Sequence, residues 1–171
     1  RAGFCSRREA ERLIFEGRVT YKGEVVETPA LKFTGMKGIE VDGYILEKPA
    51  SKLWLYHKPF GLIVTHQDEE GRETIFDNLP IKERVISVGR LDKNTSGLLL
   101  LTNDGTLARE LELPKNNFKR VYMVRVYGQL DFPLLKRELA NPITIDGITY
   151  RPIDIELEQS GPQNNWLRMT I

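Results

Sequence analysis

The residues best suited to chemistry lie in one run, Gly89-Arg90-Leu91-Asp92-Lys93-Asn94-Thr95-Ser96-Gly97. It sets a carboxylate two residues from a guanidinium, between two glycines that permit tight backbone geometry. A lone carboxylate in such a loop is usually a turn residue or cap, and is otherwise a candidate for catalysis, with Thr95 and Ser96 free to hydrogen-bond locally. Spacing alone leaves both readings open. Asp104, in the following Thr102-Asn103-Asp104-Gly105, reads more simply as a turn or N-cap residue. Lys58-Pro59-Phe60-Gly61 reads as a shaped turn, so Lys58 stays outside the catalytic set. His57, His66 and Cys5 have no partner constellation.

A second candidate is electrostatic. Residues 1–22 hold six basic residues (Arg1, Arg7, Arg8, Arg12, Arg18 and Lys22) and three acidic ones. Arg8 and Arg12 stand four apart on one helix face, and Arg18 follows the helix end. Such a stripe can neutralise phosphates without reading sequence. The same count also suits an ordinary solvated helix face.

The elements that position these groups can be read locally. Ser6-Arg7-Arg8-Glu9 fits a capping box, Ala10, Leu13 and Ile14 follow at helical spacing, and Gly17 suits a left-handed cap. Short hairpins are expected at residues 19–26, turning at Lys22-Gly23, and at residues 39–46, turning at Asp42-Gly43. Residues 48–52 have linker character. Strands are then expected at 53–57, resuming at 62–65, and at 85–88, 98–102, 119–127, 153–157 and 166–171. Residues 68–73 read as an acidic polar loop, and helices are expected at 107–113 and 134–139. No regular β-α-β period appears, so the fold class is α+β with a mixed, mainly antiparallel sheet. The domain expectation is 1–47, a linker at 48–52, and 53–171.

Composition bounds the class. The chain has 171 residues, 25 Lys+Arg against 24 Asp+Glu, and 40% hydrophobic residues. No apolar run approaches the ~18 residues of a membrane span, and no signal-peptide pattern is present. One cysteine and two histidines give neither a disulfide framework nor a zinc spacing. The expectation is a soluble, intracellular, metal-free protein. Near-neutrality speaks mildly against a nucleic-acid binder, but placement reverses that: the basic excess sits in residues 1–22, while residues 126–171 carry four basic and six acidic groups. The chain begins at Arg1 within a helical entry and stops at Ile171 within a strand-like run, so both ends read as cut.

The stretch Gly-Arg-Leu-Asp-x-x-Thr-x-Gly-Leu-Leu-Leu-Leu-Thr-Asn-Asp-Gly at 89–105 resembles the signature of the RsuA-type ribosomal RNA pseudouridine synthases. Residues 6–19 are similar to the small α-L RNA-binding domain that these enzymes share with a small-subunit ribosomal protein. Lys58-Pro59-x-Gly61 and Lys119-Arg120-Val121-Tyr122 match two further family motifs. Glu70-Gly71-Arg72-Glu73-Thr74-Ile75-Phe76-Asp77 and Tyr127-Gly128-Gln129-Leu130-Asp131 are closer to the large-subunit branch.

The resemblance implies isomerisation of one uridine in ribosomal RNA without cofactor or metal. Asp92 aligns with the family's essential carboxylate, acting ionised as nucleophile or base. Tyr122 aligns with the tyrosine that stacks on the target base and is implicated in removing its C5 proton. Arg90 aligns with the arginine that helps hold the uridine out of its helix; from the residues alone, a salt bridge for Arg90 and an ordinary strand aromatic for Tyr122 stay open. The family's arginine partner for the aspartate is expected just beyond Ile171. Arg7, Arg8, Arg12, Arg18 and Lys22 are the expected RNA contacts. The expected partner is ribosomal RNA or a subunit assembly intermediate, met by a cytoplasmic monomer with no membrane contact. A non-catalytic RNA-binding or assembly factor on the same scaffold is the rival reading, and an aspartate-dependent small-molecule hydrolase fits less well.

Overall fold

Ser6 starts the first helix by accepting the Glu9 amide on Oγ at 3.1 Å, which satisfies one of the amides a helix start leaves unpaired. In the computed structural model, which describes residues 2–171, that helix is α1 (Arg7–Phe15). Glu9 does not complete the box: its carboxylate turns to Arg12 instead. Gly17 follows the helix at φ 71°, a left-handed conformation that a side chain would strain.

The chain divides by contacts into two compact units, meeting in sequence at Asn116 and Asn117. Residues 48–52 therefore fall inside the first unit. That unit holds a four-stranded sheet of order β2-β1-β3-β4, from β1 (Val19–Tyr21), β2 (Glu24–Val25), β3 (Ile39–Val41) and β4 (Tyr44–Ile45). Its two hairpins turn where expected. Lys22 and Gly23 have φ of 53° and 86°, and Asp42 and Gly43 have 50° and 81°, the paired positive values whose twist matches antiparallel strands. Leu13 of α1 packs on Val19, Val26 and Val41 to make a small core.

The first unit also holds β5 (Leu53–Lys58), β6 (Ile86–Val88) and β7 (Gly97–Thr102), in the order β5-β7-β6 with antiparallel ladders. β7 is central because alternate leucines can bury on one face: Leu99 and Leu101 join Val64, Ile75 and Val85 in a second core. Burying a leucine such as Leu101 contributes about 2 kcal/mol. The expected strand at 62–65 does not form; only an isolated parallel bridge, Ile63 to Thr74, is made there. The segment at 66–73 folds on its own polar contacts, which leaves 62–65 no neighbouring strand. Asp104 caps α2 (Gly105–Glu112) through the Thr106 and Leu107 amides.

The linker-like segment is tied down by polar contacts. Asn103 Nδ2 donates to Ala50 O at 2.9 Å, and the Ser51 hydroxyl donates to Asp104. Together with the capped amides, this holds the Asp104 carboxyl at a pKa of about 2.

The second unit contains β8 (Val121–Tyr127), α3 (Phe132–Leu139), β9 (Ile143–Ile145), β10 (Ile148–Tyr150), β11 (Asp154–Gln159) and β12 (Asn164–Thr170). Its three-stranded sheet runs β11-β12-β8, antiparallel throughout, over buried Ile155 and Leu167. The β9-β10 hairpin was not expected from the sequence. It turns at Asp146 and Gly147 with φ of 50° and 78°. The α+β class holds for both units.

Candidate active site

β5 ends by pointing a lysine inward. Trp54, Tyr56 and Lys58 share one face of the strand, and Lys58 is fully buried. Its ammonium donates to three main-chain carbonyls: Thr95 at 2.7 Å, Pro59 at 3.0 Å and Lys93 at 3.4 Å. Gly61, at φ 95°, donates its amide to the same Lys93 oxygen at 2.8 Å. The shaped turn expected at Lys58-Pro59-Phe60-Gly61 is thus a clamp on the 89–97 loop. Sequence reasoning missed the clamp, although strand parity with Trp54 and Tyr56 carries the signal. Burial pushes the Lys58 ammonium below its ordinary pKa, and the nearby Asp92 carboxylate opposes that.

The loop has further internal support. Gly89 leaves β6 at φ 70° and donates its amide to Glu112 Oε1 of α2 at 2.6 Å. Thr95 donates its amide to Asp92 O at 3.0 Å, closing a turn. The backbone beneath Asp92 is therefore fixed from β5, from α2 and from within.

Asp92 itself is exposed and makes no ion pair or side-chain hydrogen bond among the described residues. It lines a cleft of about 330 Å³ with Arg90, Lys93, Thr65, Asp68 and Arg72. Arg90 is exposed too, and among the described residues the salt bridge left open for it does not form. A carboxylate held this way is available to attack carbon or take a proton, with a guanidinium beside it for phosphate or base. Arg72 and the Asp68 carboxylate form a separate pair at the cleft, joined at 2.8 Å. That guanidinium, with the Arg72 amide, holds the Asp68 carboxyl below the usual carboxylate range.

The structure brings Asp92 and Arg90 together in the first unit. Tyr122 belongs to the second unit. There it lies half-buried on β8 opposite Met169 of β12, between exposed Val121 and Met123. Within that unit it is an inward-facing strand aromatic.

The basic helix carries its charge differently. Arg7 pairs with Glu11 at 3.2 Å, and Arg12 with Glu9 and with Glu16, the latter at 3.1 Å. Arg18 forks onto both Asp42 oxygens at 2.9 and 2.6 Å and also meets Glu16. Lys22 places its ammonium 5.2 Å from the Tyr21 ring centre. Arg8 is exposed and forms no ion pair among the described residues. Arg1 lies outside the described residues. Sequence spacing identified the basic residues but not this pairing. Among the described residues no group of three or more His, Cys, Asp or Glu side chains is placed to hold a metal ion, and no helix is long and apolar enough to cross a membrane.

Residues 52–167 match the family described as RNA pseudouridylate synthase, and residues 1–39 match the S4 domain. An uncharacterised RNA pseudouridine synthase of Rickettsia felis is 49% identical, over 99% of this chain and 74% of that protein. The ribosomal large subunit pseudouridine synthase B of Bacillus subtilis is 43% identical, over 80% of this chain and 56% of its own length. The Yersinia pestis protein of the same name is 38% identical, over 100% of this chain and 56% of its own length. A crystal structure of a pseudouridylate synthase superposes with a TM-score of 0.61 at 24% identity, covering 97% of this chain and 71% of that one. At that identity the superposition speaks for the fold alone.

Proposed function

The chain belongs to the RNA pseudouridylate synthase family, with an S4 domain ahead of the synthase region, and from this premise we propose that it converts one uridine of large-subunit ribosomal RNA to pseudouridine. The reaction breaks the bond from the ribose C1′ to N1 and joins C1′ to C5. The C5 proton is lost and N1 gains one, so the product is an isomer and no oxidant or reductant is consumed. Asp92 is the catalytic carboxylate, acting ionised as nucleophile or base. Arg90 helps hold the uridine out of its helix, where extrusion costs a few kcal/mol of stacking that a planar guanidinium partly replaces. Tyr122 contacts the target base. The S4 domain grips folded RNA through Arg7, Arg8, Arg12, Arg18 and Lys22, on free ribosomal RNA or on an assembly intermediate.

The observation that carries this reading is the contrast at Asp92. Its backbone is pinned by the buried Lys58 and by Gly61, while its carboxylate is left exposed and unpaired in a cleft with Arg90. Large-subunit RNA is favoured because relatives at 43% and 38% identity carry that substrate in their names. The test is incubation with unmodified large-subunit rRNA transcript, with pseudouridine mapped along it. One modified position is expected. An RNA that is bound but unmodified would instead favour a non-catalytic RNA-binding factor.

A further inference from the structure

The segment at 63–72 that lines the Asp92 cleft ends in a pair with an uneven exposure. Asp68 accepts from Arg72 Nη2 at 2.8 Å and from Nε at 3.2 and 3.3 Å, and Asp68 Oδ2 also takes the Arg72 amide at 2.7 Å. The Asp68 side chain is 8% exposed, whereas that of Arg72 is 46% exposed. The pair thus withdraws its anion and presents its cation. Among the described residues the remaining Nη1 meets only Glu70, at 3.0 Å, and Glu70 is 70% exposed and free to leave.

Loop closure alone does not require the guanidinium. The turn is already closed without it, by the Arg72 amide on the Asp68 carboxylate and the Gly71 amide on Asp68 O at 3.4 Å. What the fork adds is orientation. A guanidinium braced through Nε and Nη2 loses little freedom when its other edge accepts an oxyanion, and planar forks match phosphate geometry. Asp68 and Arg72 cancel as a pair, so Arg90 and Lys93 against Asp92 leave the cleft lining with a net charge of +1. An uncharged base or sugar gains little from that excess. A phosphodiester gains from it and from the exposed edge of Arg72.

We propose that Arg72 is a phosphate-binding residue of this cleft, taking a backbone phosphate of the RNA strand whose uridine enters beside Asp92. The proposal deepens the synthase reading and rests on it. Asp68 is then the positioning residue that aims the guanidinium, and Glu70 holds the place of the phosphate in the free protein.

The experiment compares Arg72→Ala, Arg72→Lys and Glu70→Gln in the full chain, with unmodified large-subunit rRNA transcript as probe. Binding is measured across a salt series, kcat and KM are measured separately, and thermal unfolding is followed for each variant. For Arg72→Ala the expected result is KM raised about tenfold with kcat little changed, and a slope of log binding constant against log salt reduced by about one. Arg72→Lys should keep the slope but recover only part of the affinity, and Glu70→Gln should bind no more weakly than the original. An unchanged slope in Arg72→Ala, with lowered unfolding temperature or kcat, would reduce the pair to a loop closure and overturn the proposal. The slope is read from binding alone, so it decides the matter even if no pseudouridine forms, in which case the synthase reading itself has failed.

Discussion

Two regions of the first unit display charge in opposite ways. On α1 and just after it, the arginines other than Arg8 are consumed by neighbours: Arg7 by Glu11, Arg12 by Glu9 and Glu16, Arg18 by Asp42. In the 89–97 loop the main chain is bound on several sides, yet Asp92 and Arg90 keep their charges uncommitted. The difference separates two uses of charge. Exposed ion pairs are weak and can be exchanged, so a paired arginine can release its carboxylate for an RNA phosphate at little loss. A catalytic group cannot wait on such an exchange. In the role proposed for Asp92 the group has to be placed before substrate arrives, and backbone contacts that leave the side chain open would make that placement.

The clamp is where this comparison is easiest to break. Lys58→Met keeps the aliphatic bulk but leaves the carbonyls of Pro59 and Thr95 without their donor. Hydrogen bonds to a charged group contribute about 1.5–3 kcal/mol each, so a total loss of about 3 kcal/mol is expected in denaturant unfolding. Activity should fall beyond what the unfolded fraction explains, because the Asp92 loop is no longer pinned. Unaltered stability would mean that Lys58 is not the anchor.

The Asp104 cap comes next. Asp104→Ala removes the acceptor for the Thr106 and Leu107 amides, a loss of about 1–2 kcal/mol. Because the folded pKa, about 2, lies below the unfolded value, this contribution is complete above the unfolded pKa and fades as pH falls through about 2. The stability gap between parent and variant should therefore narrow in acid. A gap independent of pH down to that range would show that the carboxylate charge is not what stabilises α2.

The smallest effect concerns the basic helix. Replacing Arg7, Arg8 and Arg12 with Ala should weaken RNA binding and flatten its salt dependence, while unfolding moves little, since all three side chains are exposed. Among single variants, Arg8→Ala should cost the most, because Arg8 has no carboxylate to release first. An unaltered salt slope in the triple variant would leave the stripe as a solvated face.

What was legible in the sequence was mostly short-range. The Ser6 cap and the turns at Lys22-Gly23 and Asp42-Gly43 are decided by a few adjacent residues, and they form as read. Asp146-Gly147 carries the same turn signal, and Ile143-Thr144-Ile145 and Ile148-Thr149-Tyr150 alternate on either side of it, so this hairpin was legible and went unread; its strands are only three residues each. Residues 62–65 failed as a strand because their neighbours fold into a polar turn, which an apolar run does not reveal. Lys58 was hidden because lysine ordinarily marks solvent; its burial depends on carbonyls of residues 93 and 95, far along the chain. The quenching of Arg18 likewise depends on Asp42, 24 residues away. Asp92 and Arg90 were identified by their motif, and the cleft they share became visible only once 63–72 was seen to fold beside them.

The central claim is that Asp92 carries the chemistry while the surrounding contacts only place it. The most direct measurement is single-turnover formation of pseudouridine in unmodified large-subunit rRNA transcript by Asp92→Asn, beside its RNA affinity. Asparagine nearly preserves the shape and removes the ionised oxygen. The account predicts a rate lowered by at least about a thousandfold, with affinity essentially retained. A rate within about tenfold of the parent would contradict it.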